Sequence, residues 1–262
     1  MKKKFVTLLA GAAMVVLAST SAMATTVVNT QGGGNGSELN MQQILNSITQ
    51  GGASNVNAFT DFIKDPNDAY WTTGGVGIAS ATMILEIAGQ ANGNVFGIYD
   101  KTNKNNKAIL FDGIDGAGHK VAMTFGDFGS GKNLKVIDLI DDGISKYSFN
   151  STTFGFFMSY GNTTFYSDTT LNTSDNYDHM VAYGSKGGNV KLPGNPGYTP
   201  WLPNEFVLAF EDTMGGGDHD YNDMVLMVES VAPVPEPGTM VLLGAGLLSL
   251  AIYGKRRRNK EA

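Results

Sequence analysis

The stretch Phe210-Glu211-Asp212-Thr213-Met214-Gly215-Gly216-Gly217-Asp218-His219-Asp220-Tyr221-Asn222-Asp223 packs five carboxylates and one carboxamide into 13 residues. Like charges this close repel one another unless water or a cation lies between them. The candidate donors Glu211, Asp212, Asp218, Asp220, Asn222 and Asp223 all offer oxygen. With no cysteine in the chain and one histidine in the segment, they select Ca2+ over zinc or copper. Gly215-Gly216-Gly217 allows a backbone turn tight enough for the carboxylates to converge. The alternative is a solvated acidic hairpin that holds no ion. Asp218, Asp220 and Asn222 imitate the first half of an EF-hand loop, with Glu229 at its twelfth position. Position six is Asp223, however, where the sharp turn of that loop needs glycine. Met224 to Val228 is apolar and strand-like, and six extended steps put Glu229 about 20 Å past Asp223, out of ligand range. The segment therefore reads as a strand–loop–strand acidic site.

The elements that must position this loop follow from periodicity. From Gly77 to Ile87 apolar and polar residues alternate, as in a half-buried strand. Further strands are expected at 94–100, 107–111, 120–125, 134–140, 144–149, 153–160, 163–167, 179–184, 205–211 and 223–231. Turn signals such as Asp112-Gly113, Asp142-Gly143 and Pro193-Gly194-Asn195-Pro196-Gly197 separate them. About ten short strands with close turns predict an all-β, antiparallel β-sandwich, jelly-roll-like in size. No helix of crossover length separates the strands, which argues against a parallel α/β sheet. Upstream, 25–37 is a polar, Gly-rich lead-in. Ser37 then precedes Met41, Ile44, Leu45 and Ile48, the spacing of a short amphipathic helix that Gly51-Gly52 ends. The domain division is 1–24, 25–73 (lead-in and helix), 74–232 (sandwich) and 233–262.

Both ends read as addresses. Lys2-Lys3-Lys4, an apolar stretch from Phe5 to Leu17, and Ala22-Met23-Ala24 form a cleavable secretory signal peptide, with the cut before Thr25. A true membrane helix would need a longer apolar stretch. At the other end Pro235-Glu236-Pro237 precedes an apolar run from Thr239 to Tyr253 and the basic group Lys255-Arg256-Arg257-Arg258. As a single helix, 239–254 would span roughly 24 Å, short of a hydrocarbon core of about 30 Å. Such a segment pauses in a membrane and makes a marginal permanent span. Between the two ends lie ten lysines, no arginine and 22 acidic residues, a net charge near −12, with Asp outnumbering Glu by 17 to five. A surface like that is a poor partner for phosphate backbones and sets nucleic-acid binding aside. Without cysteine no disulfide holds the exported domain, so stability comes from an ordinary core or from bound ions.

Two resemblances add to this reading. The tail, in its three parts Pro235-Glu236-Pro237, apolar helix and Arg256-Arg257-Arg258, resembles the PEP-CTERM sorting signal of Gram-negative bacteria. That implies recognition by an exosortase, removal of the tail, transient membrane contact through the C-terminal helix, and delivery to the cell surface or an extracellular matrix. FEDTMGGGDHDYNDMVLMVES is similar to the signature of an uncharacterised domain found in exported PEP-CTERM proteins. NVFGIYDK, FYSDTTLNTSDNYDHMVAY and, less closely, WTTGG extend the likeness over most of 60–232. The family motif carries over at Glu211, Asp212, Asp218, Asp220, Asn222 and Asp223. It implies a β-sandwich with a calcium-type loop and no established reaction.

Other features weigh less. Gly126 to Asn133 nearly matches a phosphate-binding P-loop, but Asn133 stands where Ser or Thr must bind Mg2+, so a hairpin turn is the simpler reading. Asp175, Asp178 and His179 offer ligands or a general base, against a solvated turn leading into a strand. Asp141-Asp142 point oppositely if on a strand, and Trp71 and Trp201 either stack on sugar rings or pack in the core. No arrangement of nucleophile and base is legible. Three functions remain open: a non-enzymatic, calcium-stabilised surface or matrix protein associated with exopolysaccharide; a carbohydrate-binding module or adhesin; and a glycan-active hydrolase.

Overall fold

A computed structural model describes residue 28 and residues 38–74, 77–86 and 93–235. The signal peptide with Ala22 and Ala24, and the tail from Glu236 through Pro237 to Arg256, Arg257 and Arg258, lie outside the described residues. In chain order the strands are β1 (Phe62–Ile63), β2 (Trp71–Thr73), β3 (Ile78–Glu86), β4 (Asn94–Asp100), β5 (Asn103–Phe111), β6 (Lys120–Phe125), β7 (Leu134–Asp138) and β8 (Ile144–Tyr147). They continue as β9 (Thr153–Tyr160), β10 (Thr163–Tyr166), β11 (Met180–Gly184), β12 (Asn189–Val190), β13 (Thr199–Pro200), β14 (Glu205–Phe210), β15 (Met224–Glu229) and β16 (Val231–Pro233). One helix, α1, spans Met41–Ile48.

Every pairing between these strands is antiparallel. One sheet runs β1-β11-β14-β15-β3-β6-β7-β8, a second runs β16-β2-β9-β4-β5 with β10 also on β9, and β12 and β13 pair as a small two-stranded sheet. Eight and six strands exceed the two four-stranded sheets of a simple jelly roll, so the architecture is a larger antiparallel sandwich. The expected 223–231 strand is broken at Ser230, whose φ of 59° sends β15 and β16 to different sheets.

The central strands are buried on both faces, which explains their unbroken apolar runs. Phe206, Leu208 and Phe210 of β14 and Met224, Leu226 and Val228 of β15 face the core between the sheets. Val207, Ala209, Val225 and Met227 face a second core on the other side, closed by Met41, Ile44, Leu45 and Ile48 of α1. Each such side chain contributes about 1.5–3 kcal/mol by leaving water. The helix begins at Asn40 rather than after Ser37. Asn40 Oδ1 accepts the Gln43 N–H and Gln43 Oε1 accepts the Asn40 N–H, a reciprocal cap worth about 1 kcal/mol. With α1, β1 and β2 all built into the cores and sheets, the folded body starts well before residue 74.

Candidate functional site

The last pair of the β14–β15 hairpin is Phe210↔Met224, so residues 211–223 form its loop. Glu211 turns inward as β14 ends and is 2% exposed. Its Oε1 accepts the Tyr221 N–H at 2.8 Å. Burial, then the charges of Asp223, Asp220 and Asp218, push its carboxyl up to about 9. A Cβ at Gly217 would lie 2.9 Å from Glu211 Oε2, and its φ of 51° is one that L side chains rarely adopt, so glycine suits the point where the loop closes over this carboxylate. Asp220 is 1% exposed and is raised to about 7 by burial and by Asp218. Asp223 rises to about 6, again chiefly by burial, even though its Oδ2 accepts the Asp212 N–H at 2.8 Å.

Two groups of oxygens emerge. Asp218 and Asp220 converge with Glu38, which lies just before α1; one oxygen from each lies within 4.8 Å of the others. Of the other three, Glu211 and Asp223 meet side chain to side chain, while Asp212 is met by Asn94. Asn94 Nδ2 donates to Asp212 Oδ2 at 3.4 Å, while its Oδ1 is buried without a hydrogen bond. Asn222 behaves differently from its neighbours. Its amide nitrogen donates to Asp220 Oδ2 at 2.6 Å and to the Leu39 carbonyl at 2.9 Å, so it aims Asp220 and ties the loop to the lead of α1. Neither Glu38 nor Asn94 carries a local pattern in the sequence that would mark it.

The surrounding frame is polar and buried. Asp178 and His179 are buried rather than part of a solvated turn. Asp175 Oδ2 accepts from Gly215 N–H and lies against His179 Nε2, each at 2.8 Å, and so clamps the glycine turn. His179 stacks on Phe165 with centroids 4.0 Å apart, and burial lowers its pKa. His219 and Tyr221 adopt φ of 66° and 53°, a left-handed backbone that costs such residues about 1–3 kcal/mol each. The Tyr221 hydroxyl offsets part of this by donating to the Asp178 carbonyl at 2.7 Å, and Tyr177 bonds His219.

The remaining candidates resolve simply. Residues 126–133 join the antiparallel pair β6 and β7 as a hairpin turn, and Asp141-Asp142 sit in the turn after β7. Trp71 and Trp201 are both buried, and each indole N–H donates to a backbone carbonyl, so neither presents a face to a sugar. Glu205 and Glu229 stand directly opposite across β14 and β15 and line a groove of about 440 Å3 with Ser80 and Lys120. Burial raises the Glu205 carboxyl. Pro235 is exposed immediately beyond β16.

Comparison with known families places two matches on this frame. Residues 128–231 match a domain of unknown function (DUF4114), which includes β7 to β15 and the whole acidic loop but begins after Asn94 and Glu38. Residues 233–258 match the PEP-CTERM protein-sorting motif. No curated protein and no solved structure matches the chain.

Proposed function

Starting from a PEP-CTERM protein that carries a domain of unknown function, we propose a non-enzymatic component of the cell surface or exopolysaccharide matrix, stabilised by Ca2+ at the acidic hairpin. The sorting motif marks the chain for export across the Gram-negative envelope and for processing by an exosortase. The observation that carries the calcium reading is the mutual crowding of Glu211, Asp218, Asp220 and Asp223. Two of the four, Glu211 and Asp220, are almost wholly buried, and burial first and then their neighbours' charges raise both carboxyls. A doubly charged ion relieves that repulsion, and the oxygen-only donor set suits it. Asn94 Oδ1, buried beside Asp212 with no partner, fits the same requirement. Glu38, Asp218 and Asp220 would hold the ion together with Glu211, Asp212 and Asp223, with Asn222 orienting Asp220.

Extracellular calcium modules bind with Kd of about 10⁻⁴–10⁻³ M. At 100-fold saturation a site adds about 2.7 kcal/mol, which raises the Tm of a domain this size by about 5–10 °C. Calorimetry in EDTA and in Ca2+ is expected to show that rise. A melting point indifferent to both would count decisively against the ion.

The Glu205–Glu229 pair favours a second reading, hydrolysis of a glycan. Directly opposed strand residues place Cβ atoms about 4.5–5.5 Å apart, near the carboxyl spacing of retaining glycosidases. Against it, Glu205 Oε2 accepts from Leu202 N–H and Glu229 Oε2 accepts from Ser80 Oγ, so both oxygens serve the sheet. Release of reducing ends from the organism's own exopolysaccharide, lost in Glu229→Gln, would establish the hydrolase. A flat time course leaves the structural role.

A further inference from the structure

We propose that the groove between β5, β10 and the segment after β10 binds an acidic glycan, with Lys104 and Lys107 taking the sugar carboxylate. A polysaccharide bearing uronate-type carboxyls is the partner that the matrix role proposed above requires, and this assignment rests on that role. The groove calls on no metal ion.

Lys104 and Lys107 stand three apart on β5, which in a regular strand puts them on opposite faces. The β4–β5 ladder is irregular here. Tyr99 pairs with Lys107 but Asp100 pairs with Asn103, so residues 104–106 are extra and bulge. Both ammonium groups consequently lie against one ring: the Nζ atoms of Lys104 and Lys107 are 5.3 and 5.0 Å from the centre of Tyr166. Neither forms an ion pair with a carboxylate among the described residues. Burial, and then the charge of Lys104, lowers the pKa of Lys107. Lys107 spends one N–H on Thr164 Oγ1 at 3.2 Å, which leaves it two donors and Lys104 three. On a domain with a net charge near −12, two such cations beside each other mark a place for an anion.

The groove that Lys104 lines encloses about 510 Å3, within the range of small-ligand clefts. Asn162, Thr163, Thr173 and Ser174 line it too, and their exposed side chains make no hydrogen bond among the described residues. These unspent amide and hydroxyl groups match the adjacent hydroxyls of a sugar ring. Leu171 and Met214, the latter 46% exposed, offer apolar contact to its C–H face. Asp175 also lines the groove, but its Oδ2 is spent on Gly215 and His179. Its negative charge turns the ligand's carboxylate toward the lysines. A nucleic acid needs a run of phosphate contacts and finds two cations on an acidic surface.

Titration calorimetry of the full exported chain, in Ca2+ and again in EDTA, tests the groove with two probes. One is the organism's own exopolysaccharide, and the other is that polymer with its carboxyls reduced to alcohols. The native polymer should bind, and reduction should weaken binding about tenfold or more, the loss of a charge-assisted contact. Lys104→Gln and Lys107→Gln should each weaken the native polymer by a similar factor and leave the reduced one unaffected. Lys101→Gln, outside the groove, should change neither, and Ser174→Ala should weaken both. Melting points equal to the parent's show that Lys104→Gln and Ser174→Ala fold. Equal affinity for the two polymers, or native binding untouched in both Lys104→Gln and Lys107→Gln, would overturn the proposal. So would tighter binding of a mixed-sequence single-stranded DNA, or binding that needs Ca2+ in a chain still folded without it. A chain recovered from the matrix yet blind to the polymer would overturn the groove alone and leave the surface role standing. A melting point indifferent to EDTA and Ca2+, with Lys104-dependent binding intact, would remove the hairpin ion and keep the groove.

Discussion

Glu211 sits where a strand with two buried faces runs into an acidic loop, and its carboxyl has no route to water. Its ordinary value near 4.5 rises to about 9 in the folded chain. A folded state that binds the proton more tightly than the unfolded one loses stability as pH climbs between those two values. Without metal, Tm should therefore fall from pH 5 to pH 9, with Asp220 and Asp223 adding to the slope below about pH 7. Bound Ca2+ should flatten it, because the ion favours the ionised forms. Glu211→Gln keeps an oxygen for the Tyr221 N–H and removes the charge. In EDTA at pH 8 it should melt higher than the parent, and it should gain little from Ca2+; calorimetry across pH with and without EDTA checks both. The sequence marked the six hairpin positions because like charges were adjacent in the chain. Glu38 and Asn94 are brought in by the docking of α1 and the start of β4, more than 100 residues away, and no local pattern encodes that.

The hairpin as an element depends on its glycine turn. Gly215 and Gly216 both have φ above +70°, but a Cβ at Gly215 meets nothing within 4 Å, whereas one at Gly216 would overlap the Tyr177 ring. Gly215→Ala should cost only the left-handed strain, about 1–2 kcal/mol. Gly216→Ala should cost about 2–4 kcal/mol, since Tyr177 must also move away from His219. Urea midpoints of the two variants give the difference directly. Long strands were legible by period, and β4, β6 and β9 fall on the expected residues. β1, β2, β12 and β13 are two or three residues long and too short to show a period, and they exist through pairing alone. The cap at Asn40 was hidden for a related reason: Ser37 and Asn40 are both good caps, and only the Gln43 side chain three residues on decides between them.

At the scale of the whole molecule, the last strand connects the fold to its delivery route. β16 pairs with β2 through Val231↔Thr73, Ala232↔Thr72 and Pro233↔Trp71, and the Val234 N–H donates to the Tyr70 carbonyl at 2.7 Å. The sorting motif thus begins as the sheet ends, and residues 235–238 bridge at most about 14 Å to the apolar run. The acidic surface legible from composition faces the same solvent whichever side of Pro235 is cut, so charge gives no hint of the cleavage point. Packing does. Val231 is buried in the core between the sheets, and burying a valine contributes about 1.5–3 kcal/mol beyond the ladder bonds of β16. A chain ending at 234 keeps every one of those contacts, while one ending at 230 frees Val231 and uncovers the outer side of β2. Residues 25–234 should therefore melt with the tail-bearing protein, and 25–230 should melt about 5–10 °C lower. Mass spectrometry of the extracellular form should accordingly find its C-terminus beyond Val234, since processing inside β16 would release a destabilised product. A mature species ending before Val231 with an unchanged melting point would show that β16 is a tether and not part of the sandwich.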